Sequence, residues 1–270
     1  MQQFDLGRVL SRMFGMIRTG LATTGVFLLA IAVLGQLLSA AGQSVMQSTI
    51  KPGADASSLA MAALSLSGLL GFVVLMLAAT LVGSVGYGGG LAGYLAEHSG
   101  KTISLRESLA IGVSRMLAVT GLTILWMLGI MLGAMLLLVP GLILIAMWSV
   151  AIPAMINEKI GVFEAFARSR ALTKGSRLWI FLTLIVLLIL AYVPVVVIGA
   201  ILVSLIGLTG GMTQIAQLGK GGVNLMNLAV GIPTAWIMTM LLDAGLASLY
   251  VETVEAKGGA VDETLTQVFD

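Results

Sequence analysis

The stretch EKIGVFEAFARSRALTKGSR, from Glu158 to Arg177, is a charged segment between two long apolar blocks. Charged segments that separate apolar blocks of membrane length mark parts of a chain that stay outside the hydrocarbon core. We therefore predict a helical membrane protein that crosses the bilayer before and after this stretch. The stretch holds five of the fourteen basic residues of the chain: Lys159, Arg168, Arg170, Lys174 and Arg177.

The composition of the whole chain agrees with a membrane protein. Hydrophobic residues make up 59% of the 270 residues and charged residues only 10%, whereas a soluble domain carries about 25% charge. The net charge of +2 gives no reason to expect a nucleic-acid partner. The chain has no cysteine and one histidine, His98, which excludes disulfides, thiolate catalysis and Cys- or His-based metal clusters. We predict no cofactor.

Six apolar blocks are long enough to cross a bilayer, for which a helix needs about 20 apolar residues. We predict an all-α, polytopic membrane protein that forms a single integral membrane domain over 1–270, with a cytoplasmic tail over 251–270. Pro153 and Pro194 are expected to bend the fourth and fifth spans. The predicted spans cover residues 21–41, 59–87, 117–138, 141–157, 178–206 and 223–250.

The second block ends in the glycine-rich run GYGGGLAGY, Gly86 to Tyr94. A nucleotide-binding loop would need a preceding strand, which the apolar block does not predict. We interpret the run as a site of close helix packing and as the end of the second span.

Amphipathic segments precede the first, third and fifth spans and predict helices that lie in the membrane interface. The first covers 1–18, the second opens with a capping box formed by Ser104 and Glu107, and the third lies in the Glu158–Arg177 stretch. Within that stretch Glu164 lies four residues before Arg168, a favourable spacing for an ion pair. Glu158 is a second acid expected to pair with one of the arginines.

The basic residues divide unevenly between the two sides of the predicted membrane. Twelve of the fourteen lie on the side of the two termini, and only Lys51 and Lys220 lie on the other. The positive-inside rule therefore places both the N-terminus and the C-terminus in the cytoplasm.

The segment from Pro140 to Phe181 combines Pro153, Glu158, Arg168-Ser169, Leu172, Lys174-Gly175 and Trp179. In this pattern it resembles the signature of the bacterial glycerophosphoryl diester phosphodiesterase membrane-domain family. The closing sequence is also similar, although Glu252-Thr253 stands where many members carry a Leu-Arg pair. The resemblance implies an integral protein of the bacterial inner membrane without the catalytic domain.

The phosphodiesterase activity in that family name is not expected here. Metal-assisted phosphodiester hydrolysis needs clustered carboxylates around a metal, with histidines for proton transfer. This chain offers one histidine and scattered acids on linkers. We predict a protein that is not an enzyme.

Asp243 is the one acid deep within a predicted span, nine residues before Glu252 and so about 13 Å further into the membrane at 1.5 Å per residue. An ionisable residue at such depth suggests a function. It could belong to a proton or cation relay, or anchor a polar group in a lipid-sized cavity. Alternatively, it could be a buried neutral side chain hydrogen-bonded to Thr183, Tyr192, Asn224 or Asn227 of neighbouring helices.

A second candidate site is the basic cluster Arg168, Arg170, Lys174 and Arg177. Basic residues next to a membrane end bind anionic headgroups, at about 1 kcal/mol each. The alternative is a solvated face that only sets the topology.

Two functions follow from these observations. The first is a non-enzymatic inner-membrane protein that binds or organises phospholipid or scaffolds an envelope complex. Its partners would be membrane lipids, including anionic phospholipid, and a membrane protein or a second copy of the chain. The second is a small-solute transporter or channel with Asp243 in its pathway, since prolines such as Pro153 and Pro194 can break helices around a midplane site.

Overall fold

A computed structural model describes residues 4–49, 66–136, 138–218 and 225–258. Within these ranges the chain is helical and contains no strand. The predicted turn at Pro52-Gly53, the basic residues Lys51 and Lys220, the polar residue Asn224 and the tail over 259–270 lie outside the described residues.

Within each described range, short connections join successive helices. Helix α1, Leu6–Gly20, continues into α2, Val26–Thr49, through a five-residue π-helix, Leu21–Gly25, without a non-helical break. The helices of the described ranges are α1 Leu6–Gly20, α2 Val26–Thr49, α3 Leu66–His98, α4 Leu105–Leu136, α5 Leu138–Trp148, α6 Ala151–Asn157, α7 Val162–Thr173, α8 Arg177–Leu218 and α9 Leu225–Ala256.

Six helical segments in the described ranges are long and apolar enough to cross a membrane. This confirms the all-helical class and the number of candidate spans predicted from the sequence. The segments are Leu6–Val45, Val73–His98, Leu105–Met135, Val139–Asn157, Arg177–Leu205 and Asn227–Ala256.

Several helices continue further than the spans predicted from the apolar blocks. Helix α3 runs to His98 rather than 87, α8 to Leu218 rather than 206, and α9 to Ala256 rather than 250. Helical backbone satisfies its own hydrogen bonds, which favours continuing a helix through glycine and polar residues near a membrane. The glycine-rich run therefore lies inside α3, and the first six residues of the predicted tail are helical.

The fourth candidate span contains a break between α5 and α6 at Ser149 and Val150. Pro153 is the third residue of α6, where a backbone N–H would have no intrahelical partner, so proline is tolerated there. Pro194 and Pro233 lie inside α8 and α9.

The chain divides into two compact units. The first contains residues 1–28, 84–192 and 238–270, and the second contains 29–83 and 193–237. In the second unit, Gly42 of α2 contacts Leu75 of α3, and Gly231 of α9 contacts Gln36 of α2. The sites discussed below all belong to the first unit.

Close packing of α3 on α4 organises the first unit. Gly88 of α3 lies against Gly112 of α4, and Gly89 lies against the backbone carbonyl of Ser108. This is the close packing predicted for the glycine-rich run. Beside it lies a core cluster formed by Val119, Leu122, Ala151, Met155, Ile156 and Ala165.

Candidate functional site

Helix α7 is fixed to the end of α5 by side chains that repeat every third or fourth residue. The hydroxyls of Ser169 and Thr173 both donate to the Met147 carbonyl, at 2.8 and 3.2 Å. The rings of Trp148 and Phe166 meet edge to face, with 4.8 Å between their centres. The segment with which the sequence analysis opened is therefore held against the helical bundle, and its basic residues have a defined position.

Arg168 pairs with Glu158 rather than with Glu164. Arg168 Nε donates to Glu158 Oε1 at 2.9 Å, and the Tyr250 hydroxyl donates to the same oxygen at 2.9 Å. Asn157 Nδ2 in turn donates to the Tyr250 hydroxyl at 3.1 Å. Glu164 instead accepts the Gly161 N–H at the start of α7, at 3.0 Å. Among the described ion pairs the expected Glu164–Arg168 pair is therefore absent, because Glu164 caps its own helix.

The other three basic residues of the predicted cluster remain grouped where α7 meets α8. Arg170 and Lys174 are exposed, and Arg177 is half-buried. The turn between the helices depends on Gly175, whose φ of 91° is readily adopted only by glycine. Lys257 joins the group, because its Nζ donates to the Lys174 carbonyl at 2.6 Å. We call Arg170, Lys174, Arg177 and Lys257 the basic corner.

Arg177 is the unusual member of the basic corner. Its Nε is buried and has no hydrogen-bond partner among the described residues. A guanidinium donor that is buried without an acceptor is costly, and such groups in native structures usually have an unseen partner. A ligand oxygen would satisfy it.

An apolar groove of about 520 Å³ lies among α3, α4, α5, α6, α8 and α9 of the first unit. Two of its polar residues already have local hydrogen-bond partners, since the hydroxyls of Thr123 and Ser149 donate to the carbonyls of Val119 and Ala146. The groove therefore offers an apolar surface. Its lining includes Trp126, Trp148, Phe181, Leu184, Leu188 and Leu242.

The groove and the basic corner share the start of α8. Phe181, which lines the groove, lies four residues after Arg177. Residues four apart lie on the same face of a helix, about 6 Å from each other. An elongated molecule in the groove could therefore extend its end to the Arg177 guanidinium.

Asp243 is buried on α9, with 4% of its surface exposed. Its Oδ2 has no hydrogen-bond partner among the described residues and lies next to Gly90, where an added Cβ would be 2.6 Å away. Tyr87 and Tyr94 of α3 lie within electrostatic range of it. The neighbours of Asp243 are thus on the glycine-rich face of α3. Of the expected partners, Thr183 donates to its own helix at the Trp179 carbonyl.

The sequence analysis missed a partly buried carboxylate. Glu97 lies on α3 and accepts from the hydroxyls of Thr23 and Thr24 at 2.8 Å each. Both threonines belong to the π-helix, a feature often found at functional sites. The sequence signal that could have found it is the adjacent Thr23-Thr24 pair in an apolar block.

The sequence analysis also missed a cluster of charged residues that joins α1 to α9. The cluster consists of Arg8, Arg12, Glu252 and Glu255, and we call it the terminal clamp. Arg8 Nη2 lies 2.7 Å from Glu252 Oε1, and Arg12 Nη2 lies 2.6 Å from Glu255 Oε2. Glu252 is 1% exposed and also accepts the Asp5 N–H at 3.0 Å. The sequence signal that could have found the clamp is the opposite charge of the two segments, since one carries the arginines and the other the glutamates.

The comparisons with protein-family models, curated proteins and solved structures found no match to this chain. The fold itself defines a multi-pass helical membrane protein, with six helices long and apolar enough to cross a bilayer.

Proposed function

We propose that the protein binds an anionic phospholipid, with an acyl chain in the apolar groove and the headgroup at the basic corner. The observation that carries this proposal is the buried Nε of Arg177, which has no hydrogen-bond partner among the described residues and lies one helical turn before the groove residue Phe181. The groove volume of about 520 Å³ falls within the range typical of ligand pockets. Basic residues near an anionic membrane surface contribute about 1 kcal/mol each.

The proposed topology supports the same ligand. With both termini in the cytoplasm, the basic corner faces the inner leaflet, which is the anionic one. Helix α7 would lie in the interface, where its exposed Phe163 can enter the lipid. We further propose that the chain is a divergent relative of the bacterial family that it resembles, and that it resides in the bacterial inner membrane.

The proposed role is non-enzymatic. Phosphodiester hydrolysis would require carboxylates free to hold a metal or move a proton. The carboxylates of Glu158 and Glu252 are instead engaged in ion pairs, and Glu97 is bound by two threonines. These carboxylates hold helices together, and such a structural role agrees with a protein that organises lipid rather than hydrolysing it.

Lipid binding can be tested by changing Arg170, Lys174 and Arg177 together to Gln. We expect the affinity for anionic phospholipid to fall by about 3 kcal/mol, roughly a hundredfold, because three cationic contacts are lost. Native mass spectrometry of the protein in a mild detergent, titrated with phosphatidylglycerol, measures the change.

The matched control removes the same charge elsewhere, by changing Arg18, Lys101 and Arg106 to Gln. All three are exposed and lie on the same predicted side of the membrane. This variant should keep most of the affinity. Equal loss in both variants would show only general attraction to a charged surface, and unchanged binding in the first would refute the proposal.

The second candidate function is a solute pathway through Asp243. It is favoured by the Oδ2 of that residue, which has no hydrogen-bond partner in the part of the chain that the structure describes. The cysteine-free chain allows a direct test with Asp243→Cys and a membrane-impermeant thiol reagent. Since Asp243 is 4% exposed, we expect no labelling from either side of the membrane, while Lys257→Cys at an exposed position reacts. Labelling of Asp243→Cys in intact cells or inverted vesicles would establish water at that depth and replace lipid binding by transport.

A further inference from the structure

A second cavity of the first unit, which we call the polar pocket, has a volume of about 420 Å³ and shares no lining residue with the apolar groove. Its walls come from the end of α3, the first part of α4 and the end of α6. Part of the lining is apolar and includes Leu95, Ile111 and Ile156. Charged and polar groups complete the lining: Glu107, Ser114, Arg115, Asn157 and Lys159.

The basic side of the polar pocket is formed by Arg115 and Lys159. Arg115 is half-buried, and it makes no ion pair or hydrogen bond within the part of the chain that the structure describes. Lys159 has a φ of 52°, a left-handed backbone conformation that is uncommon outside glycine and asparagine. A guanidinium and an ammonium that line the same pocket suit a phosphate group, which arginine binds with two parallel hydrogen bonds.

The acceptor side is formed by Asn157 and Glu107. Asn157 is 3% exposed, and its Nδ2 is used by Tyr250, while its Oδ1 is buried without a hydrogen-bond partner among the described residues. Glu107 accepts from the backbone and side chain of Ser104 but keeps its negative charge beside the pocket. A buried acceptor and a carboxylate that line the same pocket suit a cationic hydrogen-bond donor.

We infer that the polar pocket binds a zwitterion that combines a phosphate with an amine, of the phosphoethanolamine type. The phosphate lies against Arg115 and Lys159, and the ammonium donates to Asn157 Oδ1 within reach of the Glu107 charge. The apolar part of the lining covers the carbon chain between the two charges. The same chemistry occurs in a free solute and in a lipid headgroup.

The experiment uses the full chain, purified in a non-ionic detergent, and measures binding by isothermal titration calorimetry. The probes are phosphoethanolamine and ethyl phosphate, which differ in the amine. We expect phosphoethanolamine to bind at least tenfold more tightly, because a hydrogen bond to a charged group gives roughly a ten- to hundredfold effect. Absence of binding by either probe, or equal affinity for both, would overturn the inference.

Single substitutions test which residue binds the phosphate and which binds the amine of the ligand. Arg115→Gln should lower the affinity for both probes at least tenfold. Arg106→Gln, on the same helix but outside the pocket, should lower the affinity for neither. Asn157→Ala should remove the preference for phosphoethanolamine and leave ethyl phosphate unchanged. Tyr250→Phe is the control for that change, since it removes the bond to Asn157 Nδ2 but leaves Oδ1 in place, and the preference should persist.

A lysophospholipid with the same headgroup distinguishes the two sources. Tighter binding of lysophosphatidylethanolamine than of phosphoethanolamine identifies a lipid headgroup as the ligand, and equal binding identifies a water-soluble one. Both results support the inference, provided that Arg115→Gln lowers the binding affinity. Binding that is unaffected by Arg115→Gln would refute it, whatever happens at the basic corner.

Discussion

Replacing Glu252 by Ala is expected to lower the free energy of unfolding by about 3 kcal/mol, the lower end of the range for breaking a buried ion pair. The carboxylate is 1% exposed and holds Arg8 and Arg12 as well as the Asp5 N–H. The lower end applies because both arginines keep partial access to water. Thermal unfolding in detergent measures the loss, which corresponds to a midpoint roughly 6–12 °C lower.

Glu255→Ala provides the comparison for that experiment. Glu255 also pairs with Arg12, at 2.6 Å, but is 31% exposed, so water and salt screen the pair. Its loss should cost less than about 1 kcal/mol. If the two variants unfold at the same temperature, the burial of Glu252 does not give the terminal clamp its strength.

Gly89→Ala is expected to destabilise the protein by about 3 kcal/mol, the upper part of the usual range for overpacking. An added Cβ would lie 2.5 Å from the Ser108 carbonyl oxygen and 2.6 Å from the Phe27 ring. Because one of these neighbours is backbone, α3 and α4 would have to separate. The thermal midpoint in detergent and the yield of folded monodisperse protein report the effect.

Gly83→Ala, in the same helix, separates packing from helix propensity. An added Cβ at Gly83 meets nothing within 4 Å. Alanine favours a helix over glycine by about 1 kcal/mol, so this variant should be neutral or slightly more stable. A similar loss in both variants would indicate that helix α3 does not tolerate substitution for reasons other than its contact with α4.

The fold class was predictable because it follows from local features. Apolar blocks of membrane length gave six candidate spans, and the structure has six helices of that kind. The capping box at the start of α4 was also predictable from spacing and is confirmed, since Glu107 Oε2 accepts the Ser104 N–H at 2.6 Å. Such features involve residues within one or two turns of each other.

The partners of the charged residues were not predictable in the same way. Glu164 has the correct spacing for Arg168, yet Arg168 bonds to Glu158, ten residues away, because α7 folds back towards the end of α6. The terminal clamp joins residues more than 240 positions apart. On hydropathy alone, Glu252 begins a polar tail. In the fold, Arg8 and Arg12 of α1 supply the opposite charges that allow Glu252 to be buried within a helix.

The candidate site was predictable in part. The basic residues of the corner were visible as a sequence cluster, but Lys257 reaches it only through the fold. The apolar groove has no sequence signature, since its lining residues resemble any others that face lipid or a helix. Asp243 was visible by its depth, but its position beside Gly90 depends on the packing of α9 on α3.

The terminal clamp also constrains how the protein is made. Arg8 leaves the ribosome early, and its partner Glu252 follows 244 residues later. At about 5–20 residues per second, synthesis of the intervening chain takes roughly 12 to 50 seconds. The terminal clamp can therefore form, and the first unit can close, only after Glu252 and Glu255 have been synthesised.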